Sequence, residues 1–217
     1  MPAHETARQR HIDQFMALLM RGGGPNVFNP WTERDELNDS SLNGPSARVG
    51  RLLSHLQTRP SRILLGEAAG YQGCHVSGIP FTSERVIMAG MVPRVSCEGR
   101  RLSIRPRPWS EPSATTVWRT LHMLDIANDT ILWNAYPWHP HKPCKPHSNR
   151  TPDRIEREAG IPVLESLLRA FPSATLFAVG RHAEQSLRDV GRIAVPLRHP
   201  SMGGATKFCD GLRSAVP

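Results

Sequence analysis

Four short apolar runs, Arg62–Leu65, Thr130–Asn134, Thr175–Val179 and Arg192–Leu197, constrain this chain more than any other feature. Helical periodicity fills the gaps between them. Residues 113–126 put Val117, Trp118, Leu121 and Leu124 on one face, with Ser113 placed to cap the helix. Thr151-Pro152 opens a second helix carrying Ile155, Leu164, Leu167 and Leu168, with a bend expected at Gly160–Pro162. Gly180 leads into a third that runs through Leu187. Strand alternating with helix is the rhythm of βαβ units. The expected fold is therefore α/β, a three-layer α/β/α arrangement around a central, mainly parallel four-stranded sheet.

Ahead of this lies a different pattern. Residues 6–20 place Ile12, Phe15, Met16 and Leu19 at helical spacing and stop at Gly22-Gly23-Gly24-Pro25. Residues 25–46 read as loop, and a short helix follows near 46–57. The 217 residues, 39% of them hydrophobic, suit one domain with a real core. Residues 1–60 form a helical extension and loop, and 62–210 the core. No apolar run reaches the roughly 18–20 residues of a membrane span, and the start is charged rather than secretory. A soluble, cytoplasmic monomer is expected, with no membrane partner.

Charge narrows the partners. The net charge is +8, and only Lys142, Lys145 and Lys207 among 27 cations are lysine. Arginine's planar fork bonds two phosphate oxygens at once, so such a surface attracts polyanions. High-GC codon usage would give the same bias. Residues 92–112 hold five Arg, four Pro and Trp109 in one long loop, either a solvated excursion or a phosphate contact. Four cysteines without a C-x-x-C pair argue against a zinc ribbon or iron–sulfur cluster.

Ligands of open parallel sheets bind beyond the carboxyl ends of the strands. After the first run come Gly66-Glu67-Ala68-Ala69-Gly70-Tyr71 and then Gly78-Ile79-Pro80-Phe81-Thr82-Ser83-Glu84. After the second comes Asn134, and after the fourth Arg198-His199-Pro200-Ser201-Met202-Gly203-Gly204. A carboxylate, an amide, an aromatic ring and a histidine thus fall on one sheet edge.

Together these motifs resemble those of uracil-DNA glycosylases of the family 4 and family 5 type. Gly66-Glu67-Ala68-Ala69-Gly70 with Gly78-x-Pro80-Phe81 is similar to their first motif, Asn134 to their uracil-reading Asn, and His199-Pro200-Ser201 to their second motif. The resemblance spans residues 62 to about 208. It implies a glycosylase that hydrolyses the N-glycosidic bond of deoxyuridine in DNA, releases uracil and leaves an abasic site, with uracil-containing DNA as partner.

The chemistry such a site needs is present in these residues. Bond cleavage builds positive charge on the sugar and negative charge on the departing base, and pre-oriented groups facing those charges are typically the largest catalytic contribution. His199 can donate to uracil O2. Glu67 can stabilise the sugar cation or position water, and Glu84 is its rival for the second role. Phe81 either stacks on the base or packs in the core, and Gly66, Ala68 and Tyr71 would complete the base pocket. Asn134 can accept from N3–H and donate to O4, a pattern that cytosine inverts. Met202 is the candidate wedge for the emptied stack. Arg198, Ser201, Gly203, Gly204 and Lys207 would hold phosphates.

Three departures stand out. Ala68 occupies a position where some relatives keep a water-orienting Asp or Asn. Ala69 replaces a Pro, and the cluster-binding cysteines of family 4 are missing, so neither metal nor redox cofactor is expected. Two other readings remain. A scaffold that binds or covalently traps uracil or abasic DNA without turnover would explain Ala68. His139, His141, Cys144 and His147 lie within nine residues and have zinc-ligand chemistry, although two Lys and three Pro oppose it.

Overall fold

The computed structural model describes residues 3–216. In chain order its elements are α1 (Ala3–Arg21), β1 (Val27–Phe28), α2 (Pro45–Leu56), β2 (Arg62–Ala68), α3 (Cys74–Ser77), α4 (Glu84–Met88), α5 (Pro112–Met123), β3 (Thr130–Tyr136), β4 (His139–Pro140), α6 (Arg154–Ala170), β5 (Thr175–Val179), α7 (Arg181–Asp189), β6 (Val195–Leu197) and α8 (Ala205–Ala215). The main sheet has the order β3-β2-β5-β6, and every pairing in it is parallel. Helices cover both faces, giving the three-layer α/β/α fold that the strand–helix alternation implies.

Alternation along β2 sorts the layers. Ile63 and Leu65 join one core with Phe15 and Leu19 of α1, Leu164 and Leu167 of α6, and Ala183 of α7. Leu64 joins the other with Phe81, Val117 and Trp118 of α5, and Phe208 of α8. Period-two geometry then fixes the next residues: Gly66 continues the Leu64 side and Glu67 the Leu65 side. β3 runs in step with β2, Gly66 opposite Asn134.

Several local expectations are corrected. Residues 25–46 are not all loop, because Val27–Phe28 pairs antiparallel with His139–Pro140. The fourth apolar run contributes only Val195–Leu197 to the sheet. Glu111, rather than Ser113, occupies the N-cap of α5, with Pro112 at the first helical position. α6 starts at Arg154 behind Asp153, which forms a capping box with Glu156. Pro162 lies inside α6, which is one helix from Arg154 to Ala170. A Cβ at Gly160 would lie 2.7 Å from the Ala135 carbonyl oxygen, so this glycine lets α6 press its backbone onto β3.

Candidate active site

A cleft of about 590 Å³ opens at the carboxyl edge of the sheet, lined among others by Glu67, Ala68, Phe81, Asn134, His199 and Met202. Its floor follows from the β2–β3 register. Asn134 is 3% exposed, and among the described residues its amide has no hydrogen-bond partner. A Cβ on Gly66 would lie 2.6 Å from Asn134 Oδ1 and 2.5 Å from Phe81 Cζ. Only a hydrogen at position 66 lets ring and amide approach this way. Phe81 has φ +50°, a left-handed backbone costly for a bulky residue and typical of functional sites.

His199 follows β6 and leans toward the same floor, its ring 6.0 Å from the Phe81 ring between centroids. The Ser201 backbone N–H donates to its Nδ1 at 3.1 Å, and the Ser201 hydroxyl lies 2.7 Å from the same nitrogen. A backbone N–H can only donate, so Nδ1 is the acceptor and the neutral ring carries its proton on Nε2. Burial, helped by the neighbouring Arg198 charge, holds the ring's pKa below the ordinary value and so keeps it neutral. The loop after it is tight: a Cβ at Gly204 would fall 2.1 Å from the His199 carbonyl oxygen. Met202, 91% exposed with φ +51°, stands at the cleft mouth. Ser201 lines the cleft, whereas Arg198, Gly203 and Lys207 are exposed beside it.

The carboxylates separate into three situations. Glu67 reaches the cleft from the opposite face of the sheet to Gly66 and Asn134. Its Oε1 is buried without a partner, and the side chain borders a small void with Tyr136, Arg157 and His182. Glu84 is displaced from the role the sequence suggested. It is fully buried and accepts from Arg101 Nε (2.8 Å), the Leu102, Ser103 and Trp109 backbone N–H groups, and the Ser103 hydroxyl (2.6 Å). Burial opposes its ionisation, but these donors outweigh it and hold the pKa below the usual value. Its work is to pin the 92–112 loop. Glu111, at the end of that loop, is the carboxyl that sequence reasoning missed: it lines the cleft directly.

The opposite wall is formed by Asn149, Arg150 and Thr151. Glu156 holds Arg150 through two 2.6 Å bonds. Asn149 accepts the Tyr71 backbone N–H at 3.0 Å. Tyr71 does not line the cleft; its ring packs edge-on against Trp109, with His139 and His147 nearby. Behind it, His75 bonds Asp35 (3.0 Å) and His139 (2.9 Å), and His139 bonds the Ser148 carbonyl. Both ring nitrogens of His139 are thereby engaged. Among the described residues no three His, Cys, Asp or Glu side chains are grouped to hold a metal ion.

The carboxyl edge of the parallel sheet thus gathers an amide, a ring, a neutral histidine and carboxylates around one cleft. The chain belongs to the uracil DNA glycosylase superfamily, whose family model matches residues 53–210. No curated protein sequence matches significantly. Among solved structures, the crystal structure of wild-type SMUG2 from Pedobacter heparinus aligns with TM-score 0.61 and 14% identity, covering 94% of this chain and 96% of that one. That likeness concerns the fold.

Proposed function

We propose that this glycosylase hydrolyses the N-glycosidic bond of deoxyuridine in DNA, releasing uracil and leaving an abasic site. The observation that carries the reading is the Asn134 amide, buried, without a protein partner and seated against Phe81 across Gly66. The amide lines the cleft and makes no hydrogen bond to the described residues, so it is free to accept from uracil N3–H and donate to O4. Phe81 supplies the stacking platform, worth roughly 1–3 kcal/mol. The Nε2–H of neutral His199 donates to O2 as charge builds there. Glu67 faces the sugar, where its charge favours the cationic transition state. Met202 fills the gap left by the extruded nucleotide, an extrusion that costs a few kcal/mol. Ser201, Gly203, Gly204, Arg198 and Lys207 lie where flanking phosphates pass.

The test is release of free uracil from a uracil-containing oligonucleotide in the presence of EDTA. Intact DNA with the wild-type chain sinks the proposal, as do unchanged rates in both Glu67→Gln and His199→Ala. Turnover also separates this reading from a silent or trapping DNA binder, which Ala68 alone would favour and which two carboxyl groups in the cleft argue against.

A further inference from the structure

We infer that Glu111 is the water-activating carboxylate of this cleft, taking the role that Ala68 cannot fill. The inference rests on the glycosidase reading above and names the group that completes it.

Position is the first argument. Glu111 caps α5, the helix that shares a core with Phe81. It therefore approaches the cleft from the face of the sheet that carries Gly66 and Asn134. Glu67 comes from the other face. Two carboxyl groups thus border one cavity from opposite sides, an arrangement that suits two separate tasks.

Its local bonding is the second argument. Oε1 accepts from the Ser113 hydroxyl at 2.6 Å, which fixes the carboxyl plane. No group among the described residues donates to Oε2, and Ser113 itself lines the cleft. Room for the carboxyl comes from Gly73: a Cβ there would lie 1.9 Å from Oε2. One clamped oxygen and one free oxygen facing a polar cavity is the geometry of a group that accepts a proton from water.

Charge is the third. Burial raises the Glu111 pKa, opposed only in part by the Ser113 bond. A raised carboxyl is a stronger base, closer to working pH, than an exposed one. The titratable groups around it are Cys74 of α3, whose thiol burial pushes up, and Glu67, Arg150 and His199 along the cleft. The step balances simply. A water oxygen bonds to the sugar carbon as the carbon–nitrogen bond breaks, the electron pair leaves with uracil, and the water proton passes to Glu111 Oε2.

Single-turnover cleavage of a uracil oligonucleotide by Glu111→Gln, across pH, tests this. Loss of a general base costs roughly 10²–10⁴ in rate. The rate constant should fall at least about 100-fold, binding of the oligonucleotide should hold within about threefold, and the acid limb of the wild-type profile should disappear. Added formate should restore at least about tenfold to Glu111→Ala, as a mobile carboxylate fills the hole. A Gln variant within about fivefold of wild type with its acid limb intact overturns the inference. So does a loss that tracks unfolding on melting and that formate does not rescue. A wild-type chain that never releases uracil instead defeats the underlying reading, and this assignment with it.

Discussion

Gly66 and Asn134 stand side by side in the parallel register of β2 and β3, and the missing side chain of one makes space for the amide of the other. Gly66→Ala should therefore block the base recess while sparing most of the fold. Uracil release is expected to fall by about 100-fold or more, because a misplacement near 1 Å costs that much. Thermal melting should move by only a few degrees. A variant that keeps its rate would show that the base sits elsewhere.

Asn134 itself predicts discrimination. Asn134→Leu keeps the volume but leaves uracil N3–H and O4 facing hydrocarbon, a penalty of roughly 1–3 kcal/mol per unpaired group. Cleavage should drop by at least about tenfold to 100-fold for uracil. Comparable kcat/KM values for the two proteins would discount the amide.

His199 gives a two-part prediction. His199→Ala removes the proposed donor to the leaving base and should cost about 10²–10³ in kcat. Ser201→Ala keeps the backbone N–H to Nδ1 and should cost much less, on the order of tenfold at most. Because burial lowers the ring's pKa, the neutral donor persists as pH falls past the usual histidine value. Equal losses in the two variants would contradict the assigned tautomer.

Glu84→Gln tests the loop anchor. The carboxylate accepts five hydrogen bonds from one segment, and Gln can satisfy only part of that set while its own N–H groups meet other donors. Breaking a buried charged network costs about 3–5 kcal/mol, a melting shift of roughly 10 °C in a chain of this size. Unchanged melting would show that the 92–112 loop holds itself.

Acid should destabilise the chain early. Burial, aided by the Arg94 charge, pulls His55 down to about 3, with Leu132 N–H bonded to its Nε2. Burial and the His75 charge pull His139 down to about 3, against the Ser148 and Asn149 bonds. The unfolded chain takes up these protons near pH 6.5, the folded chain only near 3. Stability is thus whole above about 6.5 and falls as pH drops toward 3, by on the order of 2 kcal/mol per histidine between pH 7 and 5. Glu111, raised by burial, works in the opposite sense, while His75 and His199, also lowered by burial, add to the loss. Urea unfolding at both pH values measures the difference, and a flat result would contradict it.

Much of this was legible in the residues. Arg62–Leu65, Thr130–Asn134 and Thr175–Val179 are short, apolar and bounded by turn residues, so periodicity alone finds them. Gly66 and Asn134 were placed by lying near the carboxyl ends of β2 and β3 and His199 by following β6, since parallel strands deliver such residues to a common edge, whereas Phe81 was found only through the Gly78-x-Pro80-Phe81 pattern. Glu84 misled because a carboxylate two residues past Phe81-Thr82 can face either way, and only the returning Arg101–Trp109 segment claims it. Tyr71 misled for a similar reason, since Trp109 draws its ring aside. Glu111 was hidden in a loop without periodicity; its one signal was an acid directly before Pro112 at the start of an apolar helix.

The segment ahead of the matched region is built into the molecule. Phe15 meets Trp133 edge-on at 4.9 Å, the Leu19 carbonyl accepts Trp138 Nε1–H, and Val27–Phe28 pairs with the strand that holds His139. Trimming the gene to its recognisable stretch would strip the greasy underside of the very strand that presents Asn134.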